Sequence, residues 1–400
     1  MSTRILFVTH SFPPPDRPLA SVGGMQRVAF ELDAALKDKA TGRTPTTADF
    51  QYGVRALVSS WRWVHLKAGP FLLGTWWLLW RRARRQDLDV ILFSSMVTAA
   101  LAVPLAGLFR RKGIRTAAIV HGQDVTKPVA AYQRFVPRVF RALDVVMPVS
   151  GATGEACIER GLAPEKVAVV HNGVDVERFD RLLTRLEAAP TRIAHERTAL
   201  GAGTLLLCSV GRQVRRKGFA WFIRSVMPTL PAHVHYWLGG DGPEREDILA
   251  AIEETGLADR VRLLGRLSEE ELVDLYRSSD LFIMPNIPVP GDMEGFGIVM
   301  LEAGLTRLPT VAARLEGIRE VVTPGENGYF VESGDKEGFT SRILALDADR
   351  GALDALSMRT EAHVRRTFSW PAVAENYLRT LIVLPATEGA PEGKGAPLQG

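Results

Sequence analysis

Four hundred residues exceed the size at which one hydrophobic core keeps growing, so two domains are expected. A hydrophobic share of 46% with 24% charged residues is ordinary for a globular chain. A net charge of +4 is too mild to demand nucleic acid, and no zinc-finger, RNA-binding or helix-turn-helix pattern accompanies it. With only Cys157 and Cys208 there is neither a disulfide framework nor a cysteine metal cluster. The chain passes from Met1-Ser2-Thr3-Arg4 straight into Ile5-Leu6-Phe7-Val8, without the order of a signal peptide, so a reducing cytoplasm is the expected location.

Strand-length apolar runs recur with helix-length segments between them. Ile5–Val8, Val54–Val58, Val90–Phe93, Thr116–Val120 and Val145–Val149 make a first series. After a connection at Asn172–Leu200, a second series runs through Leu205–Val210, Val234–Leu238, Val261–Leu264, Leu281–Met284 and Thr310–Ala312. The alternation predicts an α/β chain of two doubly wound, Rossmann-like domains, 1–178 and 179–368. Ligands on such sheets bind beyond the carboxyl ends of the strands, which makes the cleft between the domains the expected site.

The first strand leads into Ser11-Phe12-Pro13-Pro14-Pro15, which cannot be helical, and Gly23-Gly24-Met25-Gln26 then opens a helix to about Lys39. Paired glycines at a helix start either make a turn or let another group approach bare backbone. Ala40–Phe50 is polar and reads as a mobile loop. Five of the eight tryptophans, Trp61, Trp63, Trp76, Trp77 and Trp80, precede Arg81, Arg82, Arg84 and Arg85. The apolar run Phe71–Trp80 is too short to cross a bilayer, but aromatics beside arginines suit an anionic lipid interface. Packing of Trp76 and Trp80 against the sheet is the competing reading. A second such pairing, Met96–Phe109 before Arg110, Arg111, Lys112 and Arg115, points the same way. Asp87-Leu88-Asp89 has the spacing of a metal-chelating pair, but it precedes a strand and reads as a solvated turn.

Thr116–Val120 ends in His121-Gly122-Gln123-Asp124, a strand tip where a doubly wound fold exposes side chains to its ligand. His171-Asn172-Gly173-Val174-Asp175 reads as a bend before the connection. In the second domain the first strand ends in Gly211-Arg212-Gln213-Val214-Arg215-Arg216-Lys217-Gly218. Basic side chains there can clamp a diphosphate and stabilise it as a leaving group, which makes a divalent metal unnecessary. Gly239-Gly240-Asp241-Gly242-Pro243 is a strand-end turn and not a dinucleotide fingerprint, and no phosphate loop of the ATPase type is present. Ser268-Glu269-Glu270-Glu271 is a capping box, and the turn before it, Gly265-Arg266-Leu267, could border a nucleotide base.

The stretch Asp292–Ala303 organises the site. Leu281–Met284 reads as a strand, Asp292–Gly297 as a loop, and a helix starts near Gly297. The free amides and positive dipole of that helix start attract a phosphate. Glu294 would lie beside the anion, and Glu302, more than a turn into the helix, would accept hydrogen bonds from neutral hydroxyls. Phosphate on amides with hydroxyls on carboxylates describes a nucleotide sugar. Ser369-Trp370-Pro371 opens a last helix of about 13 residues. Residues 385–400, rich in Gly, Pro and Ala, are expected to be disordered.

Gly23-Gly24, His121-Gly122, Asn172–Asp175, Gly211-Arg212 with Lys217-Gly218, Gly240–Pro243, and Glu294 to Glu302 with Phe296-Gly297 between them span most of the chain. Together they resemble a GT-B glycosyltransferase of family 4, the retaining, metal-independent users of nucleotide sugars. The resemblance implies that Arg212 and Lys217 clamp the pyrophosphate, Glu302 holds the ribose, and Glu294 lies beside the transferred sugar. The amides of Gly297, Ile298 and Val299 after Phe296 would face the phosphates, Gly24 would approach the diphosphate, and His121 would lie near sugar and acceptor. The last helix, Ser369–Leu384, would cross back to the first domain. The implied activity is hexose transfer to an acceptor hydroxyl, with no cofactor. The expected acceptor is a saccharide or a lipid-linked saccharide at the cytoplasmic face of a membrane. A nucleotide-sugar epimerase of the same architecture and a catalytically silent sugar-nucleotide binder are the alternatives.

Overall fold

The structure, a computed structural model, describes residues 2–13, 24–58, 61–127, 129–201 and 203–383. Gly23, the side chains of Trp61 and Trp63, Leu384 and the tail 385–400 therefore lie outside the described residues.

Two all-parallel sheets carry the chain. The first has five strands, β1 (Thr3–Phe12), β2 (Phe50–Val58), β3 (Val90–Phe93), β4 (Arg115–Val120) and β5 (Val145–Pro148), in the order β2-β1-β3-β4-β5. The second has six, β6 (Leu205–Val210), β7 (Val234–Gly239), β8 (Val261–Gly265), β9 (Leu281–Met284), β10 (Thr310–Ala313) and β11 (Gly328–Val331), in the order β11-β10-β9-β6-β7-β8. Strands covered by helices on both faces need apolar residues throughout, and every residue of β3, β5, β9 and β10 is buried. Strand order reverses between β1 and β3 and between β6 and β9, because each of those pairs flanks the point where the chain switches sheet direction. Loops leaving the two strands of such a pair diverge to opposite faces and leave a crevice between them.

Two helices of the first domain flank its side of the crevice and its outer surface, α1 (Gly24–Ala40) and α2 (Trp61–Arg85). The connection after β5 is helical over Val176–Ala188 and Arg192–Ala199, each helix begun by a side-chain cap, Asp175 on the Arg178 amide and Thr191 on the Ile193 amide. Asp175 therefore starts a helix where a simple bend was expected. The last helix, Trp370–Leu378, continues as a wide turn over Arg379–Val383 and lies on α1. The Trp370 indole donates to Glu31 at 2.6 Å, and Lys39 donates to Glu375 at 2.9 Å. Gly173 makes this crossing possible, since a Cβ there would sit 2.6 Å from the Trp370 ring.

Three expectations need correction. The 40–50 segment is pinned and not a free loop: Glu375 accepts from the Thr47 hydroxyl at 3.0 Å, and Lys39 donates to the Pro45 carbonyl at 2.6 Å. Asp89 is no idle turn residue, because it accepts from the backbone amide, Nε and Nη2 of Arg4 at 2.8, 2.9 and 2.8 Å, fixing the start of β1. The strand series also has one further member, β11, which pairs with β10.

Candidate active site

The loops after β6 and β9 leave the switch point of the second sheet side by side. The β6 loop turns tightly: Gly218 has φ +67°, and a Cβ on it would lie 2.0 Å from the Pro285 carbonyl oxygen on the β9 loop. That close approach puts Lys217, buried in spite of its charge, against Glu294, with Nζ 2.6 Å from Oε2. Arg216 adds its Nε at 3.5 Å from the same carboxylate and donates to both oxygens of Asp292 at 3.1 and 3.2 Å. Asn286 approaches Glu294 Oε2 at 3.4 Å, and the Glu294 backbone amide donates to Glu316. Burial alone would push the Glu294 carboxyl up, but Lys217 and Arg216 outweigh it and hold the group below its ordinary value. Arg212, on the same loop, is exposed and forms no ion pair among the described residues.

Downstream of Glu294 the chain reaches Gly297, whose φ of +84° ends the loop, and the helix Ile298–Leu305 begins with no side chain capping it. Phe296 is buried, Ile298 and Val299 are half-buried, and the first amides of the helix point back toward the loop. Glu302, 3% exposed, sits one turn in. It accepts from Arg27 on α1 through Oε1 and from the Tyr276 hydroxyl at 3.3 Å through Oε2. Arg27 also donates through Nε to Glu31 at 2.8 Å. Burial alone would lower the Arg27 pKa, but Glu302 and Glu31 raise it well above its ordinary value, so its positive charge is permanent.

The first domain meets these loops from across the cleft. A Cβ on Gly295 would lie 2.5 Å from the His121 carbonyl oxygen, so the strand tip after β4 rests directly on the Glu294 loop. Gln123 donates to Asp292 at 3.0 Å. Glu320 accepts from the Gly151 amide and lies 2.8 Å from the His171 ring, which stacks on Phe296 at 5.4 Å. His121 itself is anchored, its Nε2 3.0 Å from the Ser94 carbonyl and its backbone amide donating to Asp124 at 2.8 Å. The expected site residues therefore fall into two adjoining groups. Lys217 and Glu294 pair at the switch point, with the His121 carbonyl against the adjoining Gly295 and Gly297 following two residues on; Glu302 faces Arg27 in the first turn of α1. Arg212 stands outside both.

Two family models divide the chain between them. One, described as Glycosyltransferase Family 4, matches residues 22–178, and the other, described as glycosyl transferases group 1, matches residues 204–349. The chain belongs to the GT-B glycosyltransferases of family 4. Its relatives include a putative colanic acid biosynthesis glycosyltransferase of Salmonella typhimurium, 27% identical over 69% of this chain and 65% of that protein. An amylovoran biosynthesis glycosyltransferase of Erwinia amylovora is 24% identical over 70% and 67%. The matched part thus spans about two thirds of the length of these relatives. Among solved structures, an Anabaena protein in complex with UDP superposes with a TM-score of 0.68 at 19% identity, covering 96% of this chain and 100% of that one. Sucrose-phosphate synthase from Thermosynechococcus elongatus also gives 0.68, at 20% identity over 94% and 98%. These last two likenesses establish the shared fold.

In this glycosyltransferase several site neighbours carry no sequence signal. Arg216 is hidden beside Lys217 in a basic run, and Asn286, Glu316 and Tyr276 belong to no motif of their own. Arg27 has one legible signal, its position a turn into the helix that opens at the paired glycines.

Proposed function

We propose that the protein transfers a hexose from a nucleoside diphosphate to an acceptor hydroxyl, with retention at the anomeric carbon and without a metal, in glycan or lipid-linked saccharide synthesis. The observation that carries this reading is the buried Lys217–Glu294 pair at the β6/β9 switch point, beside an uncapped helix start. A diphosphate entering there exchanges the Glu294 carboxylate for its own oxygens on Lys217. The free amides at Ile298 and Val299 and the guanidinium of Arg212 complete the cradle. Freed from Lys217, Glu294 accepts hydrogen bonds from hydroxyls of the sugar.

In the step itself the bond from the anomeric carbon to phosphate oxygen breaks and the bond to the acceptor oxygen forms on the same face. The acceptor proton passes to the departing phosphate. Fixed cations stabilise the charge that develops there, which is the task a divalent metal would otherwise perform. Likeness to one Anabaena protein solved both with UDP and with UDP-glucose supports a nucleotide-sugar donor.

The outer face of α2 supports an acceptor held at a lipid surface. No described helix is long and apolar enough to cross a membrane. Trp76 and Trp80 pack partly against the first-domain core, whereas Leu73 and Trp77, one turn apart, are 72% and 51% exposed. Arg81 lies over the Trp77 ring at 5.3 Å and Arg84 over Trp80 at 4.2 Å, aromatic and cation together as an anionic interface favours.

The test offers a panel of nucleotide sugars with saccharide and lipid-linked acceptors in the presence of a chelator. The expected result is nucleoside diphosphate released only when acceptor is present, with a glycoside of unchanged anomeric configuration. An inverted product, or activity that returns only with added divalent metal, defeats the mechanism. A changed sugar still attached to its nucleotide makes the protein an epimerase.

A further inference from the structure

Glu316 holds a backbone conformation that its residue type resists. Three described non-glycine residues have positive φ, Gln86 at +56°, Arg307 at +65° and Glu316 at +46°. Gln86 and Arg307 come just after the helices Trp61–Arg85 and Ile298–Leu305, where a left-handed residue commonly closes the last turn. Glu316 has no such reason, since it follows β10 and opens a short turn, Glu316–Glu320. A side chain there strains the backbone, and a glycine would not. Electrostatics disfavours a glutamate as well. Burial first, and then the like charges of Glu294 and Asp292, push its carboxyl up, against the Glu294 amide and the Arg216 charge. A residue kept against both costs points to a role. Its contacts supply one. The Glu316 carboxylate accepts from the Glu294 backbone amide at 2.5 Å, and the next amide, that of Gly317, donates to the Glu294 carbonyl at 3.2 Å. The two segments are pressed together: a Cβ on Gly317 would lie 2.1 Å from the Gly295 carbonyl oxygen and 3.0 Å from that of Glu294. The backbone of Glu294 is thus gripped on both sides of its α-carbon.

We infer that Glu316 is a positioning residue for sugar transfer: its carboxylate fixes the backbone of Glu294, so that the Glu294 side chain meets the hydroxyls of the transferred sugar at one angle. This rests on the proposed function and adds to it the residue that aims the acid. A glycine at 316 would relax the backbone but leave the Glu294 amide without its acceptor. Glutamate supplies that acceptor at the cost of strain. Gly317 alone holds only the carbonyl side, and one hydrogen bond leaves the Glu294 peptide free to turn about it. Glu316 acts through Glu294 and needs no contact with the donor.

The test separates the carboxylate from the strain on the full chain, with Glu316→Gly, Glu316→Ala and Glu316→Gln. Glycine removes both, alanine removes the carboxylate and keeps the strain, and glutamine keeps an acceptor oxygen at the same reach. UDP-glucose, GDP-mannose and ADP-glucose are offered with saccharide acceptors, and the donor that the wild type turns over is carried forward. The turnover number should fall about 10-fold or more in both the glycine and alanine variants, toward the 10²-fold that a misplacement of about 1 Å costs. Glutamine should stay within about 3-fold, because a neutral oxygen still accepts, about half as strongly. Calorimetric affinity for the matching nucleoside diphosphate should not fall in any variant, because removing a negative charge beside an anion site does not weaken it. Wild-type turnover in Glu316→Gly overturns the assignment, as does a glutamine variant as slow as glycine. Loss of nucleotide affinity in step with turnover also overturns it, since a general disturbance of the fold would do that. Alanine carries the comparison should the glycine variant not fold. A wild type that neither binds nor turns over any of these donors defeats the proposed function itself, an outcome distinct from an active wild type matched by its variants.

Discussion

Replacing Gly295 by alanine isolates the contact between the two domains. The backbone of Gly295 has no positive φ, so alanine brings no conformational strain. Its Cβ, however, would lie 2.5 Å from the His121 carbonyl oxygen, about 0.9 Å short of the 3.4 Å at which ordinary contact begins. Neither side can give by a rotamer change, because the obstacle is backbone held by the Asp124 carboxylate on the His121 amide. The cleft must therefore open by about 1 Å at the point where Glu294 faces the first domain. Misplacement of that size costs about 10²-fold in turnover when reacting groups are held from opposite sides. Stability should barely move, within about 1 kcal/mol, since each sheet keeps its own buried strands. Steady-state transfer to a saccharide acceptor and thermal unfolding measure the two quantities, with Gly69→Ala as the control because a Cβ there meets nothing within 4 Å. Turnover within about 3-fold of wild type in Gly295→Ala would refute the claim that this closure is needed.

Lys217→Ala and Arg212→Ala should each lower turnover by roughly 10²–10³-fold in acceptor-dependent release of nucleoside diphosphate, the loss expected of a preorganised charge stabiliser. Near-normal rates in both would remove the clamp. Gly173→Ala drives a Cβ to 2.6 Å from the Trp370 ring and should destabilise the protein by about 1–3 kcal/mol in urea titration. The Glu375 carboxyl has its pKa held at about 2: burial would raise it, but hydrogen bonds from Lys39, Thr46 and Thr47 and the Lys39 charge prevail. A depressed value means the stabilisation is complete above the ordinary value of 4.5 and fades as pH falls toward 2. Glu375→Gln should therefore cost about 1 kcal/mol near pH 7, after solvent screening, and the gap to wild type should close on acidification. On vesicles, Leu73→Ser with Trp77→Ser should weaken co-sedimentation with anionic lipid, and binding that is absent in wild type at any salt would leave α2 as a packing helix.

The inner strands were legible because parallel strands buried on both faces read as unbroken apolar runs, as in β3, β9 and β10, while the half-exposed edge strands β2 and β8 still carry short apolar runs, Ala56–Val58 and Leu263-Leu264. Gly328–Val331 did not, because it is a four-residue edge strand that is half-exposed and opens on a glycine. The Lys217–Glu294 pair was legible only as two motif positions 77 residues apart; what brings them together is the strand order at the switch point, which no local pattern encodes. Arg27 was illegible for the opposite reason. Its pairing with Glu31 four residues on looks like any helix-surface ion pair, and nothing nearby in sequence reveals that its second partner lies in the other domain. The loop at 40–50 looked free because its anchors, Lys39 and Glu375, are 336 positions apart.

The two sides of the domain junction are built from different materials, and the difference decides how it can move. Near the crossing helix the junction is mainly apolar: Val174, Phe296, Phe368, Trp370 and Tyr377 join residues of both sheets in one continuous core, to which Trp370–Glu31 and Lys39–Glu375 add polar fastenings. At the open side the contacts are polar, and in each the second domain supplies the acid: Glu302 to Arg27, Asp292 to Gln123, Glu320 to Gly151 and His171. Apolar packing has no alternative partner in water, so the crossing side stays shut. Carboxylates and N–H donors do have alternatives, water and an incoming ligand, so the open side can exchange them at modest cost. A cleft hinged on its apolar edge and fastened by exchangeable hydrogen bonds at its mouth can admit an anionic ligand without unfolding anything. A nucleoside diphosphate brings both phosphate oxygens for the donors and hydroxyls for the acids, and so can replace contacts of both kinds that opening breaks.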